Sequence, residues 1–388
     1  MILTEVSSRK DKKDFHKLPF IIYKHIPEWI PHIKQEIENV FNPKKNKFFK
    51  HGEATRFIVK NKNKNLIGRI AVFINHKKAN TEKQPTGGIG FFECIDDQKT
   101  ADLLFNHAKK WLKERSIEAM DGPINFGERN KYWGLLIKGF EHSPVYGNNY
   151  NPEYYIKLFE NYGFKNYFEQ YMYSKNIHDE IPEKFQERFN LIKEDKNLTF
   201  RHIKKKELSK FTEDFRTIYN AAWVTHDNFK KMSLEQSKSI MRKIKPIMEE
   251  ELIWFGYYNN QPISFLIILP EINQIFKKFN GNLNLINKLR FLYYKWKGTC
   301  THAFGVAVGV SPEFQKKGYE SGMIHYAREY LQKKNRYTKI ILTWIGSFNP
   351  KMLSIMRSLN SPKHQILITY RYLFDRNLPF ERCPKIKK

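Results

Sequence analysis

The sequence predicts an α/β chain, of α+β type, with two tandem domains of one architecture, each a mixed sheet flanked by helices. The chain has 388 residues, more than the roughly 250–300 residues at which one hydrophobic core stops growing. Apolar residues make up 41% and aromatic residues 15% of it, enough to offset the chain entropy of two folded cores. Both halves show the same order of patterns: a strand hairpin, a strand, a helix, a strand, a short helix and a strand.

Apolar strands and amphipathic helices can be placed along both halves. In the first half they fall at residues 56–59, 66–74, 87–95, 100–115, 154–163 and 167–173. In the second half they fall at residues 207–222, 234–250, 252–258, 262–269, 303–310, 320–334, 339–344, 350–359 and 365–374. The charged segment 178–198 lacks apolar order, which is typical of a linker. We therefore expect one domain at residues 1–177 and another at residues 199–388.

The net charge is +28, from 68 Lys and Arg against 40 Asp and Glu. Such an excess favours an anionic partner: a nucleic acid, a membrane surface or a phosphate-rich cofactor. A compositional bias toward Lys and Asn, visible at residues 61–65, explains the charge equally well. Because the basic residues are dispersed and form no zinc-finger, basic-zipper or RNP pattern, we expect no nucleic acid as partner.

Three cysteines, Cys94, Cys300 and Cys383, lie far apart and without metal-ligand spacing. We therefore expect neither a disulfide framework nor a bound metal. The polar N-terminus lacks the apolar stretch of a signal peptide, and the longest apolar run, residues 263–269, is short of the ~20 residues that cross a bilayer. The sequence thus predicts a cytoplasmic protein and leaves peripheral membrane contact open.

One motif in the second half indicates chemistry. An apolar strand at residues 305–310 leads through Pro312 into Gln315-Lys316-Lys317-Gly318 and then into a helix. Backbone N–H groups at a helix start have no intrahelical acceptor, and the helix dipole there attracts negative charge. Glycine lets an anion approach the backbone, and the two lysines supply countercharge. The pattern predicts a site for a pyrophosphate, although a turn without a ligand has the same signature.

This motif resembles the acyl-CoA pyrophosphate loop of the GNAT superfamily, which has the pattern Gln/Arg-x-x-Gly-x-Gly/Ala. Gln315 and Gly318 match the pattern, whereas Glu320 replaces the final small residue and would repel phosphate. The chain is also similar to a bacterial family of two-domain GNAT-like proteins that includes ceramide synthase-like enzymes. That family often has a glutamate where this chain has Ser347. The similar segments are residues 18–23, 27–31, 42–49, 51–54, 90–93, 121–125, 134–140, 150–155, 219–223 and 270–273.

The resemblance implies a direct transfer of an acyl group from acetyl-CoA or a longer acyl-CoA to an amine, with a lipid or sphingoid-type amine preferred. It also implies that the first domain has no CoA site of its own, because Asp96 and Asp97 follow its third strand. The residues implied to hold the cofactor are Val308, Val310, Gln315, Lys316, Lys317, Gly318, Ser321 and Asn349.

The reaction needs a base for the amine, a backbone N–H for the thioester carbonyl and an acid for the thiolate. Candidate acids are Tyr370 and Tyr372, late in the fold. Candidate bases are His51 and Glu53 in the first half and Glu271 and His302 in the second. Asn220 and Trp223 are candidates for the acceptor cleft. Each of these residues also has an ordinary structural interpretation as a packing or anchoring side chain.

Residues 282–297 are basic, aromatic and amphipathic. Such a segment lies near an anionic membrane, covers a lipid tunnel or forms an ordinary packed helix. Two other functions stay open beside lipid N-acylation. One is acetyl or aminoacyl transfer to a small amine or a peptide, and the other is a catalytically inactive GNAT-like binding protein, which Glu320 and Ser347 would favour.

Overall fold

The structure is a computed structural model that describes residues 1–81, 83–223 and 231–386, and it describes no side chain at positions 184, 223 and 343. Its strands are β1 (Ile2–Glu5), β2 (Gly52–Lys60), β3 (Leu66–Asn75), β4 (Thr86–Cys94), β5 (Ala119–Gly122), β6 (Leu135–Lys138), β7 (Lys165–Asn176), β8 (Leu198–His202), β9 (Ile253–Tyr258), β10 (Gln261–Pro270), β11 (His302–Val310), β12 (Lys339–Gly346) and β13 (Lys363–Leu373).

Its helices are α1 (Arg9–Ile22), α2 (Lys34–Val40), α3 (His76–Ala79), α4 (Gln98–Lys113), α5 (Tyr155–Tyr162), α6 (Glu183–Ile192), α7 (Leu208–Trp223), α8 (Leu234–Ile244), α9 (Asn273–Phe276), α10 (Leu285–Trp296), α11 (Tyr319–Lys334) and α12 (Pro350–Ser358).

All strands belong to one mixed sheet with the order β1-β2-β3-β4-β5-β13-β7-β12-β11-β10-β9-β8, and β6 pairs with β13. The predicted α/β class is confirmed. The repeated order is visible as well, since a hairpin, a strand, a helix and a parallel strand occur as β2-β3-β4-α4-β5 and as β9-β10-β11-α11-β12.

The two halves exchange their last strands. β13, the final strand of the chain, pairs with β5 of the first half, whereas β7 pairs with β12 of the second. β7 and β13 also pair with each other, which makes the sheet continuous. The expected boundary after residue 177 divides the chain in sequence, but each half of the sheet contains a strand from the other half of the chain.

Helices cover both faces of the sheet. In the second half, α7 packs Phe211 and Phe215 on one face, and α11 packs Met323 and Leu331 on the other. In the first half, α1 covers one face through Phe15 and Leu18. α4 and α5 cover the opposite face. Among the described residues, no helix is both long and apolar enough to cross a membrane.

Local sequence signals explain several element ends. Asp97 caps α4 by accepting the N–H of Thr100 at 2.9 Å. Gly163 ends α5 with a left-handed φ of 103°. The expected linker, however, contains α6, whose Phe185 and Phe189 are buried against the second half. The charged face of α6 concealed these few apolar positions in the sequence.

Candidate functional site

The neighbouring strands β11 and β12 separate at the centre of the second half. Their parallel pairing runs only from His302 with Lys339 to Gly305 with Leu342. Beyond Gly305, β11 continues to Val310 and pairs with β10 alone. The register shift of β10 leaves Val306 unmatched as a bulge, and its side chain is 39% exposed. The two strands therefore diverge toward their carboxyl ends, and we call the space between them the wedge.

Val308 and Val310, the expected cofactor contacts, lie on the part of β11 that pairs with β10 but no longer with β12, and they are half-buried. A strand edge without a neighbour presents backbone N–H and C=O groups that are free to bind another molecule. The expected need for a backbone N–H at the thioester carbonyl thus has a geometric counterpart here. The binding roles of the two residues stay predictions.

The loop after β11 has an unusual backbone. Lys316 and Gly318 have left-handed φ values of 64° and 86°, and alternating φ signs turn successive N–H groups to one side as an anion-binding nest. In the part of the chain that the structure describes, the N–H groups of residues 316–320 meet no acceptor, whereas the N–H of Ser321 donates to the Gly318 carbonyl at 2.9 Å. Five adjacent donors at the start of α11 therefore lack a protein acceptor, two of them on the buried residues Gly318 and Tyr319.

Gln315 fastens this loop. Its Nε2 donates to the Val310 carbonyl at 3.0 Å, and its Oε1 accepts from Lys351 Nζ at 3.4 Å. Lys351 belongs to the first turn of α12, so α12 adds a cation to the loop. Lys351 was not predicted from the sequence as a residue of the loop. Its position two residues after the cap residue Asn349 could have indicated it.

Two more expected cofactor residues have structural contacts. Asn349 caps α12 by accepting the N–H of Met352 at 3.2 Å. Ser321 is fully buried, and its hydroxyl donates to the Gly318 carbonyl. Ser321 thus stabilises the loop from within.

The charges around the loop are mixed. Lys316 and Lys317 are exposed, and Lys317 Nζ lies 5.3 Å from the centre of the Phe314 ring. Glu320 is half-buried and has no hydrogen bond or ion pair with any described residue. The loop therefore offers cations to a phosphate together with one unpaired carboxylate.

Helix α6 lies against this loop. A Cβ on Gly318 would approach the carbonyl oxygen of Arg188 to 3.3 Å, and Phe189 stacks on His325 of α11 with ring centres 3.8 Å apart. Arg188 lies in the expected linker, and no sequence signal pointed to it. Gly318 is thus required by both its φ and its surroundings.

The candidate acids lie in the first half. Because β13 is exchanged, Tyr370 and Tyr372 pack in the core under α4 and α5. Tyr370 donates to Glu160 Oε1 at 2.9 Å. The structure does not bring either tyrosine to the loop. The strand next to β12 is β7, which carries Tyr171 and Tyr173 instead.

The candidate bases are far apart in the fold. The ring of His51 packs against that of Phe48 in the first half, and its Nδ1 is buried without a partner among the described residues. Glu271 lies beside the first residue of β11, where its N–H donates to the His302 carbonyl at 2.9 Å. Its Oε1 accepts the N–H groups of Tyr146 at 3.0 Å and Asn273 at 2.8 Å. Burial raises the pKa of Glu271 to about 8 despite these donors.

The candidate acceptor residues lie on α7. Asn220 Nδ2 donates to the Met232 carbonyl at 3.1 Å, and its Oδ1 accepts the N–H of Met232 at 2.7 Å. Asn220 thus ties α7 to the segment before α8. The side chain of Trp223 and residues 224–230 lie outside the described residues.

In the first half, the strands β4 and β5 diverge as β11 and β12 do, but without a loop like the one that follows β11. The pairing of β4 with β5 ends at Gly88 and Asp121. The opening is then filled by residue 124, whose N–H donates to the Ile89 carbonyl at 2.7 Å. A Cβ on Gly90 would lie 1.9 Å from the carbonyl oxygen of residue 124. This wedge is therefore occupied by the chain itself, and Asp97 uses its carboxylate as a helix cap.

A buried polar cluster on β3 and β4 escaped the sequence analysis. Arg69 Nη2 donates to Glu93 Oε1 at 3.1 Å, and the hydroxyls of Tyr23 and Tyr155 donate to Glu93 Oε2 at 2.8 Å each. The cluster borders a cavity of about 50 Å³. Burial raises the pKa of Glu93 and lowers that of His32, another lining residue, to about 4. The sequence did not indicate this cluster, because the partners of a charged residue inside a strand come from distant segments of the chain.

Solved structures identify the architecture. A tandem GNAT protein from the clavulanic acid biosynthesis pathway aligns over 97% of this chain and 99% of its own, with a TM-score of 0.54 and 7% identity. The chain has the tandem GNAT fold. A GCN5-related glucosamine N-acetyltransferase region of a fungal multi-domain β-N-acetylglucosaminidase also aligns, with a TM-score of 0.54, 12% identity and coverage of 96% of this chain and 38% of that one. At such identities the likeness concerns the fold alone.

Curated relatives extend the comparison to sequence. The tandem GNAT chain is 24% identical to the bacterial ceramide synthase of Caulobacter vibrioides over 380 residues, which are 94% of this chain and 95% of the relative. It is 24% identical to protein YghO of Escherichia coli over 277 residues, 71% of this chain and 70% of that protein. No family model matches. The expected resemblance to the GNAT superfamily and to ceramide synthase-like proteins is confirmed.

Proposed function

We propose that this tandem GNAT protein is an N-acyltransferase that uses acyl-CoA and binds its donor in the second half. The observation that carries the proposal is the row of free N–H groups at residues 316–320 beside the wedge between β11 and β12. The loop suits a pyrophosphate, and the wedge suits the extended pantetheine arm and its thioester. The first half would hold no CoA, since its wedge is filled and its loop is acidic.

In the proposed reaction, the neutral amine of the acceptor attacks the thioester carbon. A free N–H of β11 beyond the bulge stabilises the negative charge on the carbonyl oxygen. The C–S bond then breaks, the acyl group stays on nitrogen, and the proton lost by nitrogen is balanced by one gained by the thiolate. Glu271 is our candidate base for the amine, because a pKa near 8 suits proton transfer at neutral pH.

We further propose that the acceptor is a lipid-type amine taken from a membrane surface. The support is the similarity to a protein named as a ceramide synthase over 94% of this chain and the excess of positive charge. Transfer to a small amine or a peptide would use the same wedge, so the acyl-chain preference distinguishes the two.

Calorimetric titration with acetyl-CoA and with palmitoyl-CoA tests the donor site. We expect binding by the wild type and its loss in Gly318→Val, because valine is strained at a φ of 86° and would press on Arg188. Gly298→Val is the matched control, since Gly298 has a φ of 73° but lies at the opposite end of β11. Preference for palmitoyl-CoA supports a lipid substrate, and preference for acetyl-CoA supports a small amine. Absence of binding by folded wild type would contradict the proposal and favour an inactive GNAT-like protein.

A further inference from the structure

Helix α10 exposes a continuous apolar surface, which we call the α10 face. Its members are between 52% and 84% exposed. They account for six of the large apolar side chains that the structure leaves exposed, all on one helix of twelve residues. The α10 face consists of Leu285, Ile286, Leu289, Leu292, Tyr293 and Trp296. Isolated exposed apolar residues are ordinary, but a contiguous apolar patch marks an interaction surface.

The α10 face is bordered by cations on both sides. At about 100° per residue, its six side chains span an arc of about 120° around the helix axis. Lys288 projects on one side of this arc, where the half-buried Lys295 donates from Nζ to the Pro246 carbonyl, and Arg290 and Lys297 lie on the other. An apolar arc between two basic borders is the pattern of a helix that lies in the interface of a bilayer.

The described part of the protein leaves this face largely exposed. α10 is held by its opposite side, where Phe291 contacts Phe276 with ring centres 5.5 Å apart. Asn287 Nδ2 also donates to the Asn282 carbonyl at 2.8 Å. Among the described residues, the apolar face of α10 therefore encloses no tunnel.

The positive charge around α10 favours an anionic partner. Residues 273–312 include six Lys or Arg and no Asp or Glu. A second copy of the chain would bring the same cations and the same net charge of +28, so self-association through this face would be repulsive. An anionic lipid surface supplies both an apolar layer and negative headgroups.

We propose that α10 docks the protein on an anionic bilayer surface. This inference rests on the proposed function, because it names the surface through which a lipid amine would be reached. α10 precedes β11, whereas the pyrophosphate loop follows the other end of that strand. The nine residues of β11 separate the two by about 30 Å. α10 and the donor loop thus lie at opposite ends of β11.

Flotation of the full chain with vesicles tests the docking. We expect the wild type to float with phosphatidylcholine vesicles that contain phosphatidylglycerol, and about tenfold less with phosphatidylcholine alone. The triple variant Leu289→Ser, Leu292→Ser, Trp296→Ser should lose flotation, and so should Lys288→Glu with Lys297→Glu. The matched control is Leu191→Ser, which removes an apolar side chain that is 84% exposed on α6.

Several outcomes would overturn the inference: no flotation of folded wild type with anionic vesicles, flotation that the α10 variants keep, or a concentration-dependent dimer that only the triple variant loses. The calorimetric titration of the wild type with acyl-CoA separates this inference from the proposed function. Vesicle binding without acyl-CoA binding by the wild type would contradict the function alone, and acyl-CoA binding without vesicle binding would contradict the docking alone.

Discussion

Arg371, on the last strand of the chain, forms a bidentate ion pair with Asp121 of the first half. Its Nε donates to Asp121 Oδ1 at 2.7 Å, and its Nη2 donates to Oδ2 at 2.9 Å. Both side chains are largely buried, with exposed fractions of 8% and 14%. The pair therefore fastens the exchanged strand β13 onto β5.

Arg371→Met should destabilise the whole molecule, because it leaves the buried Asp121 carboxylate without its partner. We expect a loss of about 3 kcal/mol in the free energy of unfolding, measured by urea denaturation. Lys238→Met is the control, since its ion pair with Glu235 is exposed and contributes little. Equal effects of the two substitutions would contradict the importance of the exchange.

A fragment of residues 1–177 should not fold by itself. It lacks β13, and with it Tyr370 and Tyr372 from the core under α4 and α5. It also leaves β7 without its partner β12. We expect aggregation and no cooperative thermal transition by circular dichroism. A monomeric fragment with such a transition would show that the strand exchange is dispensable.

The buried Glu271 carboxyl should make stability depend on pH. Its pKa is about 8 in the folded state and 4.5 in the reference state, so between these pH values the folded chain binds more protons than the unfolded chain. Stability contributed by this group is then highest below pH 4.5 and falls as the pH rises toward 8, by an amount on the order of 4 kcal/mol.

Glu271→Gln should flatten this profile, because glutamine keeps an oxygen for the two N–H donors and has no proton to lose. The measurement is urea denaturation at several pH values from 5 to 9. A profile unchanged by the substitution would refute the assignment. If Glu271 is also the base, the variant loses turnover while it keeps acyl-CoA binding.

The cations of the loop should set the affinity for acyl-CoA. Lys316→Ala with Lys317→Ala should weaken binding about tenfold at low ionic strength, and less in high salt because exposed charges are screened. Lys333→Ala with Lys334→Ala, in the last turn of α11, serves as the control. Equal affinities of the two double variants in calorimetry would mean that the anion does not lie at this loop.

Glu320 opposes the same anion. Glu320→Gln should raise acyl-CoA affinity severalfold, because the carboxylate has no described cation to neutralise it. The variant loses a favourable charge at the start of α11, which costs about 0.5 kcal/mol of stability. Affinity that falls in Glu320→Gln would show that Glu320 contacts the ligand favourably.

Much of this molecule is determined by the sequence itself. The periodicity of apolar residues predicted the long central strands and the helices α4, α5, α7, α8, α11 and α12, since that period depends only on neighbouring positions. It did not place α1, α2 or α6. Gln315 and Gly318 predicted the loop for a local reason as well, because a glycine before a helix permits the left-handed φ that exposes the N–H groups. The basic, amphipathic character of residues 282–297 was likewise evident from the sequence.

Only the tertiary structure decided which of these residues meet. The exchange of β7 and β13 carries Tyr370 and Tyr372 away from the second half, and the hydrophobic pattern of a central strand is the same in either half of the sheet. The partners of Arg69 and Glu93 likewise come from segments far apart in sequence. The sequence also did not determine that the α10 face points outward. An amphipathic pattern shows that a helix has an apolar side, but it does not show what covers that side.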